Sequence, residues 1–177
     1  RTGLSIKTTT LHPGERLALL DAGRPAGKDL FAILSGQTTP DQGQVWIDGL
    51  ALSQIDPKDH GRDVSYLFEQ TPLFDGTLRD NLRTGDNCAA DLMRALDFVG
   101  LDAAVREHPE GLGMGIGDDV IKRQAAAIGW ARLWLQNPSV VFLNSPNALE
   151  SGSETAIRLQ DWLAQRTVVM LTDRRTF

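Results

Sequence analysis

A chain of 177 residues, 41% hydrophobic and 23% charged, is long enough to bury a substantial core and has the composition of an ordinary globular domain. A formal net charge of -5 with no basic run argues against nucleic acid as a partner, and the single Cys88 excludes an internal disulfide while fitting a reducing compartment. No apolar stretch approaches the roughly 20 residues that span a bilayer, Arg1 opens no signal peptide, and the abrupt ends give the expectation of a piece of a larger protein.

Leu17-Ala18-Leu19-Leu20 reads as a short strand that runs into a Gly/Pro-containing loop, Asp21 to Gly27. A helix follows, with Leu30, Phe31, Ile33 and Leu34 on its buried side. Pro40 to Gly43 is a turn, Gln44 to Ile47 a strand closed by Asp48-Gly49, and Val64 to Phe68 a further strand. From Thr77 to about Val105 the chain reads as helical, with Leu92, Leu96, Val99 and Leu101 as its apolar positions and Gly100 as a breaker. Glu110 to Gly117 is glycine-rich loop, and Gln124 to Leu135 is a helix that stops before Asn137-Pro138. Val140 to Leu143 and Thr167 to Leu171 are continuous apolar runs, as strands covered on both faces require, and Ser153 to Ala164 between them is a helix. Strands alternating with helices predict an α/β fold with a mainly parallel sheet.

Gly27-Lys28 after a strand and before a helix suggests a phosphate-binding loop, although the dipeptide alone is common. The wider spacing carries more. Gly14-Glu15-Arg16, Pro40 to Gly43, Ile47-Asp48-Gly49, Tyr66 and Gly76-Thr77-Leu78-Arg79-Asp80-Asn81-Leu82 follow in one order, continued by Ala131-Arg132-Leu133, Asn137-Pro138, Ala148-Leu149-Glu150 and Arg166-Thr167-Val168-Val169. Together these resemble the nucleotide-binding domain of ABC transporters, in particular the exporter subfamily, over nearly the whole chain. Phe74 to Leu82 is the most specific piece. The resemblance implies a P-loop NTPase-like (RecA-like) sheet flanked by helices, one domain over residues 1–177, and a helical subdomain over about 76–124.

It also implies an ATP site, and each station of that site has lost its working residue. By eye, Gly27-Lys28 is the Gly-Lys pair of the phosphate loop, with Ala22 in place of the first glycine and Asp29 in place of the Mg²⁺-binding hydroxyl. Counted without gaps from Gly14-Glu15-Arg16, Gly27 takes the lysine's place, Lys28 the hydroxyl's and Asp21 the first glycine's. In either register Asp21-Ala22-Gly23-Arg24-Pro25-Ala26-Gly27-Lys28-Asp29 lacks the hydroxyl, gains a carboxylate beside the phosphates and loses an N–H at Pro25.

Glu69 stands where the family has the glutamine of the loop after Tyr66-Leu67-Phe68. The signature loop falls on Val120-Ile121-Lys122-Arg123-Gln124, of which only Gln124 matches. Asn144 and Ser145 replace the Walker B aspartate and glutamate, which organise Mg²⁺ and the attacking water. Asp173 replaces the switch histidine.

A partly filled phosphate cleft is a further expectation, with Lys28 or Arg24 pairing with Asp21, Asp29 or Asp173. His12, His60 and His108 are scattered and suggest no metal site, and Trp130 and Trp134 read as helix packing.

The leading functional expectation is a non-catalytic module at the cytoplasmic face of a membrane, needing neither ATP nor Mg²⁺. Its partner would be the transmembrane domain of an exporter, met around Glu69 to Leu82 and the helical subdomain, and it would either pair with a second, competent nucleotide-binding domain or act as a scaffold or regulator. The alternative is an active ATPase that binds ATP and Mg²⁺ and drives export; it needs Lys28 on phosphate and Glu69 or Asp173 in the Walker B role.

Overall fold

The structure is a computed structural model that describes residues 8–20, 26–55, 63–68, 71–117, 123–144, 149 and 152–172. Four strands form one parallel sheet: β1 (Arg16–Leu20), β4 (Val64–Leu67), β5 (Val140–Asn144) and β6 (Thr167–Thr172), in the spatial order β1-β6-β5-β4. Each strand is separated in sequence from the next by at least one helix, the crossover that a parallel pairing demands. The expected α/β sheet is therefore present.

The alternation of side chains along β5 and β6 sends successive residues into different cores. Val141, Leu143, Val168 and Met170 join the larger cluster, which includes Leu92, Leu96, Ile128, Leu133 and Leu159. Phe142, Val169 and Leu171 join the smaller one with Phe31 and Val64. Both faces of these two strands are thus dry, which is why they read as unbroken apolar runs. Truncating a fully buried member such as Leu143 or Leu96 to alanine would cost about 2–5 kcal/mol.

On the smaller core lies α1 (Ala26–Leu34). On the larger lie α5 (Ala125–Gln136) and α6 (Glu154–Leu163), with α2 (Leu78–Leu82), α3 (Ala89–Phe98) and α4 (Asp102–Glu107) adding their apolar sides between β4 and α5. Trp130 is buried, and Trp134 stacks on Phe98 at 5.6 Å between ring centroids, so both pack as expected. Arg166 lies 3.7 Å over the Trp162 ring and donates to the Pro138 carbonyl, closing the C-terminal ends of α5 and α6.

Two expectations need correction. The run from Thr77 to Val105 is three helices: the Thr77–Asp80 capping box starts the first, and a second box, Cys88 with Asp91, restarts the backbone after a first break. Gly100, at φ 75°, makes the second break, as expected. The strand expected over residues 44–47 keeps only β2 (Trp46–Ile47), paired with β3 (Leu50–Ala51). Asp48 and Gly49 both have positive φ (49° and 80°), the geometry of a two-residue hairpin turn whose twist matches its strands. The glycine-rich loop after Glu110 contains one 3₁₀ turn, Gly111–Gly113.

Candidate functional site

Register in the parallel sheet decides where the singled-out residues can meet. Leu20 of β1 pairs with Thr172 of β6, Asn144 of β5 pairs with Leu171, and Leu67 of β4 pairs with Leu143. The carboxyl ends of all four strands are therefore level to within a residue or two. Leu20 and Asn144 are separated by β6 alone, or about 10 Å at ordinary strand spacing. Beyond this edge an open α/β sheet binds its ligands.

The stations singled out in the sequence, the signature loop excepted, begin where one of these strands stops. Asp21 follows β1, Ser145 follows β5 and Asp173 follows β6, while Glu69 comes two residues after β4. Those four residues lie outside the described ones, as do Ala22, Gly23, Arg24, Pro25, Val120, Ile121 and Lys122.

The described members are placed as follows. Asn144 is the last residue of β5 and is half-buried at the edge. Ala26 and Gly27 open α1, and both Lys28 and Asp29 in its first turn are exposed. A helix N-terminus attracts negative charge; here the chain supplies its own in Asp29. The expected pairing of Lys28 with a carboxylate is not seen among the described residues, where Lys28 and Asp29 both face solvent. The parts of that expectation involving Asp21, Arg24 and Asp173 lie outside them. Arg123 and Gln124 are exposed just before α5, and the Gln124 side chain makes no capping bond.

An aromatic layer beneath the edge fixes α1 to the sheet. Phe31 meets Phe142 edge-on at 5.6 Å, and Tyr66 of β4 stacks on Phe142 at 5.2 Å. Burial pushes the Tyr66 phenol up to about 12, since a phenolate would lose its hydration there.

A second cluster lies on the segment after β4, at positions that sequence reasoning quoted only as spacing. Asn81 of α2 is buried, and its amide makes four bonds. Its Oδ1 accepts from the Phe74 N–H at 2.8 Å and from Arg132 Nη2 at 2.7 Å; its Nδ2 donates to the Phe74 carbonyl at 2.8 Å and the Thr77 carbonyl at 3.0 Å. Arg132, reaching across from α5, also donates through Nη1 to the Pro72 carbonyl at 2.7 Å and through Nε to the Asn81 carbonyl. Its guanidinium carbon lies 5.3 Å from the centre of the Phe74 ring. That ring is 63% exposed. No local signal announces this cluster, because its two anchors are 51 residues apart.

Among the described residues no three His, Cys, Asp or Glu side chains are grouped to hold a metal. His12 is exposed and His108 half-buried, and His60 lies outside the described residues. No described helix is long and apolar enough to cross a membrane.

Comparison with known proteins gives the same picture over nearly the whole chain. The sequence model of the family described as ABC transporter matches residues 4–148. Antigen peptide transporter 2 of Mus musculus is 31% identical over 177 residues, covering 94% of this chain and 25% of that protein. The mycobactin import ATP-binding/permease protein IrtB of Mycolicibacterium thermoresistibile is 29% identical over 157 residues, 84% of this chain and 27% of that protein. The ABC-type transporter fsqE of Aspergillus fumigatus is 28% identical over 98% of this chain and 14% of its own length. The chain thus spans roughly a seventh to a quarter of these relatives. A solved structure of a bacterial Atm1-family ABC exporter with ATP bound superposes with a TM-score of 0.75 at 18% identity, covering 92% of this chain and 30% of that one. At that identity the likeness speaks for the fold, a mainly parallel sheet of the P-loop NTPase kind.

Proposed function

We propose, because this chain belongs to the ABC transporter family, that it is the nucleotide-binding-type domain of a membrane exporter in which the scaffold persists and ATP chemistry has been lost. It acts as a structural or regulatory module at the cytoplasmic face of a membrane. It docks on a transmembrane domain through the segment from Glu69 to Leu82, and it pairs with a second nucleotide-binding domain that carries whatever hydrolysis occurs.

The observation that supports this reading is Asn144. It follows the apolar run Val140 to Leu143, where the resemblance sets the Walker B aspartate, and it ends β5 opposite Leu171. A neutral amide there neither binds Mg²⁺ through a charged oxygen nor accepts a proton. The other residues fit Mg²⁺-ATP no better. Asp29 sets a carboxylate in the first turn of α1, where a phosphate would approach. A unit charge at 4 Å is worth about 1 kcal/mol in water and about 4 kcal/mol near a protein surface. Counted once, for a carboxylate added where the family has a neutral hydroxyl, that repulsion weakens phosphate binding by about 5-fold to several hundred-fold. No step of hydrolysis is assigned to this chain.

Titrating the full chain with ATP and Mg²⁺ in a calorimeter tests the reading. No binding is expected up to about 1 mM. Micromolar binding accompanied by phosphate release would refute it in favour of the active ATPase.

A further inference from the structure

The exposed phenyl ring of Phe74 is held in a way that an incidental surface residue is not. A solvated loop has no cause to fix an apolar ring outward, since the ordering entropy is lost and no apolar area is gained. Yet the Phe74 backbone is bonded on both sides, its N–H to Asn81 Oδ1 and its carbonyl to Asn81 Nδ2, each at 2.8 Å. Asn81 is in turn gripped by Arg132 at both its amide oxygen and its main-chain carbonyl. The same guanidinium ties down Pro72 two residues earlier and lies against the ring itself. Two residues after Phe74, Gly76 accepts from the Ile116 N–H at 3.0 Å, and the Leu78 N–H donates to Met114 at 2.9 Å. Among the described residues the loop is thus hydrogen-bonded to α5 through Arg132 and to residues 114–116 through its own backbone.

We propose that Arg132 is the positioning residue of the surface that meets the transmembrane partner: by locking residues 72–81 onto α5 it presents Phe74 as a preformed apolar knob for a pocket on that partner. This rests on the docking role proposed above and names the residue that makes it work. A planar fork with donors on three nitrogens can satisfy Pro72 and both Asn81 oxygens at once, which a lysine cannot. Preorganisation removes the ordering cost from the binding step, so the rigid ring becomes the anchor of the interface.

Two measurements on the full chain test this. In amide hydrogen exchange, Arg132→Ala should speed exchange at Phe74 at least about 10-fold, with Val141 to Leu143 in β5 unchanged as the control for global unfolding. If Arg132→Ala unfolds the chain and the β5 amides exchange too, Arg132→Lys decides, because it keeps the stem and charge and loses the fork. Wild-type protection at Phe74 in the lysine variant would then overturn the proposal.

The second measurement is affinity for the detergent-solubilised transmembrane partner. Arg132→Ala should weaken it about 10-fold and Phe74→Ala about 30-fold, with the double variant no weaker than Phe74→Ala alone, since Arg132 acts through that ring. Additive losses would mean that Arg132 supports the fold without positioning the ring, and the proposal fails. Wild-type chain that does not bind the partner removes the docking role and this proposal with it. Nucleotide binding by a chain that shows the expected exchange and double-variant results would instead refute only the loss of ATP chemistry.

Discussion

Gly129 should reject even a methyl group. A Cβ built there would lie 2.3 Å from Thr71 Oγ1, 2.7 Å from Leu67 Cδ1 and 3.2 Å from Thr71 Cγ2. In an exposed helix, glycine to alanine would gain about 1 kcal/mol from backbone entropy. Here α5 lies directly on the stretch that leaves β4, and overpacking costs about 1–3 kcal/mol. The leucine end can rotate away, but the short, β-branched Thr71 cannot clear both its γ atoms. A contact as short as 2.3 Å puts the overpacking in the upper part of that range, about 2–3 kcal/mol, so net destabilisation by Gly129→Ala should be about 1–2 kcal/mol, read as a drop of roughly 0.5–1 M in the urea midpoint. Thr71→Ala by itself should be close to neutral, because its hydroxyl is buried without a hydrogen-bond partner and its removal relieves that penalty. The double variant Thr71→Ala/Gly129→Ala should then be at least as stable as Thr71→Ala, a coupling of about 1–2 kcal/mol. Additive effects, or a Gly129→Ala chain as stable as wild type, would refute the close approach of α5 to this segment.

Two titrations follow from the same structure. Tyr66 is the single tyrosine, so absorbance at 295 nm reports it alone. Its folded pKa of about 12, above the ordinary 10.0, means that the protonated form contributes stability fully below pH 10, lost as pH rises toward 12; a midpoint near 10 in the folded chain would contradict its burial. Asp91 has the opposite sign. Hydrogen bonds from the Cys88 side chain, Arg94 and the Cys88 N–H hold it at about 2, below 3.8, so its contribution is present above pH 3.8 and lost as pH falls through 2. Asp91→Asn should flatten the acid limb of the melting temperature between pH 4 and 2, and an unchanged slope would count against the capping box at α3.

What could be read from the residues alone follows how local each cause is. β5 and β6 were legible because burial on both faces leaves a continuous apolar run. The Asp48-Gly49 turn was legible because a two-residue hairpin needs positive φ at both positions. The break at Gly100 was legible from the glycine, whereas the one between α2 and α3 was not, because its capping box starts with Cys88, an unusual N-cap residue, and the apolar spacing of the longer run ran across it. The Arg132–Asn81–Phe74 link was beyond reach. Its partners are distant in sequence, and an arginine on a helix reads as solvated until its acceptors are seen. Of the site itself, the alignment of strand ends at Leu20, Asn144 and Thr172 was legible, because each apolar run stops at its own polar or glycine-containing loop.

That alignment also accounts physically for how a scaffold can outlive its chemistry. Along β5, Val141 and Leu143 belong to one core and Phe142 to the other, while Asn144 sits half-buried where the strand leaves both. Along β1, the half-buried Leu17 and Leu19 pack on the smaller core and Leu20 is 50% exposed. Lys28 and Asp29 are exposed, whereas Phe31 on the same helix is 4% exposed against Phe142. Among the described residues, Lys28, Asp29 and Asn144 thus sit beside the core residues in sequence while standing at the surface or edge of the fold. Substituting these three costs the fold little, because exposed and edge positions generally change stability by less than about 0.5 kcal/mol. Substituting the core residues costs several times more. The proposed loss at the edge, with retention in the layers beneath it, is thus one that this architecture permits.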